Sequence, residues 1–552
     1  MKRNILTIAV AVISCTLYAQ TDSLRTVVNV NNEYNPVHIK VNKKNFTPTI
    51  SSQGNVTAPE YKFTTDAIPY NGFVSERNTK EMLPGQENLD NGYLRLGYGL
   101  TNEIDAKATY GIDLTGRDNL KVSASMKGFN DELKGLHNNW DSRMYHTGAG
   151  IGYTHAFNKL LLGVDGNFNN RVFNYQSAGF SQFVTDKQNI KNYSTRFRGV
   201  STGSNQLGYN FNAGFNHNTR KYSTGLQESI AENSINAGAG IYYNVDTKEV
   251  KRVGIQAGAD MYLYNKNLRD ATFGYTDYCS INVDPYIDFD FSGWELHLGT
   301  TMNFITAGNA VFAIAPDIKL RKSFNNNVTF FAKATGRRTD NSFTKLDGRT
   351  PYWGFDKEVS KQLKPTYKIL DAAVGSTITF EPLSIDAAAG YSYTKDDVIQ
   401  VLDYLESNSQ DAYIFSNFVQ ENMHNVFVSA RLGYDYGGWL KASADARYDY
   451  WGCKDRNLLI LKPIVTVNVN AEVKPLRNLT VNAGYNFTRY TKIENGSRTA
   501  NKNDLNLRIS YNIKSWLGVY IQGNNLLNNR YYEHAGYATR GARGLIGVTA
   551  NF

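Results

Sequence analysis

The chain has 552 residues, 41% of them hydrophobic and 20% charged, with a formal charge of +9 at neutral pH. Its mean hydropathy is that of a water-soluble protein, and its one long apolar run, Ile5 to Ala19, is shorter than the ~20 residues a spanning helix needs, which excludes a helical membrane bundle. Aromatic residues are plentiful (37 Tyr, 28 Phe, 6 Trp), glycines number 46, and proline, methionine and cysteine are scarce at 12, 7 and 3, a balance that suggests β structure.

Lys2 and Arg3 precede an apolar stretch, Ile5 to Ile13, and small residues end at Ala19, the layout of a cleaved secretory signal over residues 1–20. Removing it takes away two positive charges and no negative ones, so the mature charge is 9 − 2 = +7. A second reading is that Val12-Ile13-Ser14-Cys15 is a lipobox and Cys15 the lipidated N-terminus. From 21 to 90, Pro36, Pro48, Pro59, Pro69 and Pro84 recur too often for any long regular element, so this stretch is expected to be an extended periplasmic tail with one short strand, Thr26 to Val30. Past the signal only Cys279 and Cys453 remain, which excludes a small disulfide-stapled fold; Cys279 falls on the apolar parity of its strand.

From Gly92 the texture changes to alternation. Val465, Val467, Val469, Ala471 and Val473 alternate with polar neighbours, as do Leu479 to Phe487 and Leu505 to Ile513. A period of two places each set on its own sheet face. The strands are long, no convincing amphipathic helix covers the apolar face, and the polar face carries charge repeatedly. Lys121 with Lys127, Asp284 with Asp288 and Asp290, and Lys441 with Asp445 and Arg447 share it, and Arg508 has the same parity. A wet lumen accommodates such a face and a packed core does not, so residues 91–552 are expected to form an all-β, transmembrane antiparallel barrel.

Ten short connections imply 22 strands: Thr115–Asn119, Phe157–Lys159, Thr202–Gln206, Asp246–Arg252, Phe291–Trp294, Phe324–Val328, Phe380–Leu383, Tyr436–Trp439, Lys474–Leu479 and Lys514–Trp516. The count requires a weak strand from Tyr193 to Thr202. The two longest external loops are predicted at Arg338–Lys368 and Tyr393–His424, where external binding would sit unless they simply cover the barrel mouth. Trp294, Trp439 and Trp516 fall at short turns, with Tyr434 and Tyr448 nearby, as a periplasmic aromatic girdle.

At the C-terminus, Gly523-Asn524-Asn525-Leu526-Leu527-Asn528-Asn529-Arg530-Tyr531-Tyr532, then Gly536 and Arg543, then an alternating strand ending in Phe552, resemble the last hairpin of TonB-dependent receptor barrels. The resemblance covers roughly residues 92–552 and implies an outer-membrane location in a Gram-negative envelope, outer-membrane lipid around the barrel, and recognition of Phe552 by the barrel-insertion machinery. That family encloses a globular plug of well over a hundred residues, for which residues 21–90 leave no room. Energised uptake is therefore not carried over. Arg25 to Val30, in particular Thr26, Val27, Val28 and Val30, is faintly similar to the segment that meets a periplasmic energy-transducing partner.

Two functions stand side by side. The first is transport or channel activity for an unidentified solute, with residues 21–90 folded into or beneath the lumen as a partial stopper; the alternative is a structural or assembly subunit whose tail binds a periplasmic partner, as by strand addition. An enzyme is not expected: His38, His137, His146, His155, His217, His297, His424 and His534 show neither metal-ligand spacing nor a nucleophile context, and no residue is catalytic. No cofactor or metal is expected, since the Asp284, Asp288, Asp290 column reads as solvated lumen charge rather than a calcium site. A dilute +7 without a basic run argues against nucleic acid.

Overall fold

The computed structural model describes residues 92–552 except 135–138, 178–186, 203–205, 222–228, 246, 248, 271–272, 307–310, 325–326, 355–361, 406–412 and 493–497. The signal segment, Cys15, the Thr26–Val30 segment and the rest of the proline-punctuated tail lie outside the described residues.

Twenty-two long strands form one antiparallel sheet. The first half comprises β1 (Gly92–Gly99), β2 (Glu103–Thr115), β3 (Asp118–Lys134), β4 (Asn139–Ala156), β5 (Leu160–Phe173), β6 (Gln188–Ser201), β7 (Leu207–Arg220), β8 (Ile230–Asn244), β9 (Val250–Tyr264), β10 (Tyr278–Phe291) and β11 (Trp294–Ile305). The second comprises β12 (Val311–Phe324), β13 (Val328–Thr339), β14 (Thr366–Phe380), β15 (Leu383–Leu405), β16 (Tyr413–Tyr436), β17 (Leu440–Gly452), β18 (Pro463–Leu476), β19 (Leu479–Tyr490), β20 (Lys502–Asn512), β21 (Leu517–Asn524) and β22 (Arg543–Asn551). Each strand pairs with its neighbours in the chain, and β22 returns to β1 with Asn551 opposite Tyr93 and Leu545 opposite Gly99, closing the barrel. Closure leaves no strand edge in the wall.

Strand ends flank all ten predicted short connections, which fall at one end of the antiparallel sheet, with β9 starting at Val250 inside the predicted Asp246–Arg252 turn, and the weak Tyr193–Thr202 segment is most of β6. The outward residues are the apolar ones: Val426, Val428, Leu432 and Tyr434 on β16, and Ile546, Val548 and Phe552 at the C-terminus, are all exposed, Ile546 by 65%. A continuous apolar band of this kind is unstable in water and is the signature of a lipid-facing wall. Trp439 and Trp516 are exposed at the turn end, with Tyr434 and Tyr436 beside Trp439. Tyr448 does not join them. It lies eight residues along β17 from the turn, exposed with Tyr450 towards the opposite end of the strand, because that strand starts at the turn and runs away from it.

The wall is lowest at its seam, where β1, β21 and β22 have 8, 8 and 9 residues, and tallest at β15 and β16, with 23 and 24. Across the seam Gly97 faces Gly547, and Tyr520 fills the space their missing side chains leave. A Cβ on Gly547 would stand 2.5 Å from the Tyr520 ring and from Leu96 O, so only glycine fits.

The predicted loop Arg338–Lys368 is present between β13 and β14. The predicted loop Tyr393–His424 is for the most part not a loop: among its described residues β15 and β16 continue as a paired hairpin as far as Leu405 opposite Tyr413. Thr394-Lys395-Asp396-Asp397 and Gln420-Glu421-Asn422 read as loop by polarity, yet cross-strand pairing takes up most of their backbone, and at the register shift the N–H groups of Asp396 and Asn422 donate to the side chains of Asn422 and Glu421.

Candidate functional site: a roofed mouth

The loop end of the barrel is spanned by two layers of chain. The upper part of the β15–β16 hairpin forms one. β15 leaves its partner β14 beyond Lys395, opposite Tyr367, and the ladder with β16 shifts register at Thr394/Asp397, where Asp396 has φ +53°. Such an irregularity bends a strand. Past it, Tyr413 and Ile414 pair with Ser177 and Gln176 in the loop that follows β5. In a ring of 22 strands β16 and β5 stand half a circumference apart, so this pairing crosses the mouth along a diameter.

The second layer is the loop from Asp340 to Pro365, which carries the helix Phe343–Arg349 and runs against the hairpin through a parallel bridge between Trp353 and Ser416. Ser416 N donates to Tyr352 O (2.8 Å) and Gly354 N to Ser416 O (3.1 Å). On the far wall, Arg220 of β7 is fully buried and takes hold of the loop. Its guanidinium lies 4.1 Å from the Trp353 ring, donates to Trp353 O (2.7 Å) and Pro351 O (2.6 Å), and stands 3.4 Å from Asp347. The same Asp347 accepts from Trp353 Nε1 (2.7 Å) and Asn218 (2.9 Å), while its backbone carbonyl accepts from Arg171 (2.7 Å). Glu232 of β8 accepts the Phe343 N–H with both oxygens at 3.0 Å. A buried arginine with its charge paired and its fork occupied is stabilised; with any partner removed it is costly.

Apolar packing reinforces these contacts. Phe343, Leu346 and Trp353 pack with Ile230, Tyr264 and Phe418, and Tyr352 joins Phe173, Tyr175, Ile414, Phe415 and Tyr537. Burying one such side chain contributes about 1.5–3 kcal/mol. The last loop, between β21 and β22, provides the keystone. Tyr537 stacks on Tyr352, donates to Ile414 O (2.5 Å) and accepts from Gln176 N (3.1 Å), and Ser416 Oγ donates to Ala535 O (3.2 Å). Burial pushes the Tyr352 and Tyr537 phenols above their ordinary pKa.

Beside this roof is a cavity of ≈540 Å³, bounded by the helix of the in-folded loop, the last loop, and the upper parts of β2–β5 and β20–β22. Glu103 is fixed in its wall by Arg540, at 3.1 and 3.3 Å, and Arg540 lies 3.8 Å over Phe129.

The predicted lumen residues lie elsewhere and are not brought together. Asp288 holds His297 (2.6 Å), which also meets Asp317 (3.1 Å); Asp284 accepts from Asn282 (2.6 Å) and Asp290 pairs with Lys251 (3.7 Å). Lys441 pairs with Asp435, Asp445 with Arg431, and Arg447 makes a two-pronged contact with Asp449 while lying 3.9 Å over Phe427. Arg508 lies 4.0 Å over Tyr520. Among the described residues no group of three or more His, Cys, Asp or Glu is placed to hold a metal ion, and Cys279 and Cys453 are free thiols. Sequence reasoning missed Arg220, Glu232, Asp347, Trp353 and Tyr537. The available signal was the density of aromatics, Phe343, Tyr352 and Trp353, in a loop that would otherwise be polar.

No family model matches the chain, and no curated relative does. Its fold has many solved counterparts. A variant of the ferric enterobactin receptor PfeA from Pseudomonas aeruginosa superposes with a TM-score of 0.62 at 10% identity, over 84% of this chain and 80% of the receptor. The copper transporter OprC gives 0.60 at 12%, over 84% and 80%, and Pseudomonas aeruginosa FpvA bound to pyoverdines gives 0.60 at 12%, over 84% and 71%. These neighbours are TonB-dependent receptor barrels, and the likeness is one of fold: a closed antiparallel barrel of 22 strands.

Proposed function

We propose that this protein is an outer-membrane transport barrel whose loop end is kept shut by its own loops. The observation that carries the reading is the double layer across the mouth, joined to the far wall at Arg220 and keyed by Tyr537. A barrel of 22 strands is wide enough that its lumen either conducts or is stopped. The lipid-facing wall supports a membrane location, and the short turns would then face the periplasm and the roofed end the outside. Asp284, Asp288, Asp290, Lys441, Asp445, Arg447 and Arg508, five of them ion-paired, would line a mixed-charge lumen without strong ion selectivity. The neighbours named as receptors and a transporter support a transport role and leave the solute open.

Single-channel conductance in planar bilayers tests this. The intact protein is expected to be silent, and an Arg220→Ala, Trp353→Ala variant to open at nanosiemens scale. A variant lacking residues 21–90 separates the tail's contribution: if it alone conducts, the tail and not the roof is the stopper. Silence from every variant would sink the transport reading and turn attention to the tail as a docking segment for a periplasmic partner.

A further inference from the structure

We infer that the outer face of the β6–β7 pair, at its roofed end, binds a membrane lipid whose headgroup is anionic and carries phosphate, through Lys191 and Lys221. This rests on the lipid-facing reading of the wall, not on transport, and goes beyond it by naming a headgroup and the place that holds it.

Depth comes first. The outward parity runs through Phe197, Thr195, Tyr193 and Lys191 on β6, and through Phe215, His217, Thr219 and, one step past the strand, Lys221 on β7. Phe168, Tyr193 and His217 form a row across three strands, with ring centroids 5.0 and 6.2 Å apart. Such a row marks the boundary between hydrocarbon and headgroups. Strand length agrees. Lys191 stands 10 residues from Ser201 at the turn end. That is about 33 Å of strand and, at a tilt of about 45°, about 23 Å of height, against an apolar band ~25 Å tall. Both lysines therefore stand where the headgroups begin.

Charge comes second. Lys191 lies opposite Thr219, and the Lys221 N–H donates to Asn189 O (2.9 Å), which places Lys221 opposite Asn189. The four side chains make a square, with exposed ammonium groups on one diagonal and a half-buried amide and hydroxyl on the other. Diagonal positions lie about 7–8 Å apart, within reach of two long side chains closing on one phosphate. β6 and β7 contain no Asp or Glu. The carboxylates of their neighbours β5 and β8 point inward, Asp165 to Arg198 (3.6 Å) and Glu232 to the Phe343 N–H (3.0 Å). Arg143 on β4 is a contrast: it shares the outward column with Asp141, which lies opposite Glu132. Two cations without a carboxylate on their own strands, at a boundary of low dielectric, attract an anion. At that depth the anion is a lipid phosphate, and its acyl chains would lie along the exposed Tyr193, Phe197 and Phe215 below.

The same strand ends hold the roof from inside. Arg220 and Asn218 reach Trp353 and Asp347, and Asn192 donates to Thr344 (3.3 Å), while their neighbours Lys221, Thr219 and Lys191 take the outer face. A headgroup bound outside braces the strands that anchor the roof.

The test is native mass spectrometry of the purified full-length protein, freed of lipid in neutral detergent. The probes are phosphatidic acid, phosphatidylcholine with the same acyl chains, and inorganic phosphate. Phosphatidic acid is expected to bind in preference to phosphatidylcholine and to slow hydrogen exchange over residues 188–192 and 217–221. Lys191→Gln and Lys221→Gln are each expected to weaken it about fivefold, with Lys191→Arg and Arg143→Gln close to the parent protein. Both lysines are exposed, so the substitutions spare the fold. Equal binding of phosphatidylcholine overturns the assignment, as does displacement of the lipid by an equal concentration of inorganic phosphate, or binding indifferent to both Gln substitutions. Opening of the Arg220→Ala, Trp353→Ala channel without any lipid preference would leave transport standing and remove only this site.

Discussion

Tyr352 and Tyr537 lie face to face, ring centroids 3.7 Å apart and planes 6° from parallel, although one belongs to the loop after β13 and the other to the loop before β22. This stack joins the in-folded loop to the last loop, and the Tyr537 hydroxyl ties both to the hairpin through Ile414. Removing that hydroxyl leaves Gln176 N and Ile414 O without it. Tyr537→Phe is expected to cost the roof about 1–3 kcal/mol, seen as faster hydrogen exchange over residues 413–418 with the barrel strands unchanged.

Arg220 reports on geometry as well as charge. Arg220→Ala is expected to cost about 3–5 kcal/mol, because Asp347 is left buried without its cation. Arg220→Lys should fail to restore the closed mouth, since an ammonium cannot bond two carbonyls and stack on Trp353 together. Conductance of the two variants checks this; a silent Lys variant would show that charge alone suffices.

Glu232 offers a contrast. Glu232→Gln keeps an oxygen for the Phe343 N–H and should behave as the parent protein, whereas Glu232→Ala leaves that N–H buried and unmet at about 1–3 kcal/mol. Limited proteolysis within residues 340–365 distinguishes them, with cleavage expected only in the Ala variant.

The roof should also respond to alkali. Both Tyr352 and Tyr537 have phenol pKa values raised by burial, so the neutral ring is the form the folded roof keeps. For a raised pKa the contribution is complete below the unfolded value, about 10 for tyrosine, and is lost as pH rises through the higher folded value. Protection of residues 413–418 is therefore expected to be flat from neutral pH to about 10 and to fall above it, with the fall displaced in Tyr352→Phe.

At the seam, Gly547→Ala is expected to lower the temperature at which the barrel loses its heat-modifiable gel mobility, because the new methyl meets the Tyr520 ring and Leu96 O. Adding Tyr520→Ala removes the first clash and not the second, so the double variant should recover only in part.

The wall of this protein was legible in its sequence. Strands such as Val465 to Val473 carry their own two-residue period, and turns such as Tyr436 to Trp439 lie between segments whose parity is fixed independently, so local pattern was enough to place 22 strands and their faces. The roof was not legible. Arg220 meets Trp353 across 133 positions and Tyr537 meets Ile414 across 123, and although the aromatics of the Phe343–Trp353 loop mark it for burial, nothing nearby says which strand it meets. Asp396 shows the same limit: its polarity reads as loop, while the paired hairpin around it makes it the bend of a continuing strand. Alternation is imposed locally by the two solvents on either side of a strand, lipid and lumen. Which loops cross the mouth is settled only when closure of the barrel brings distant segments within bonding distance.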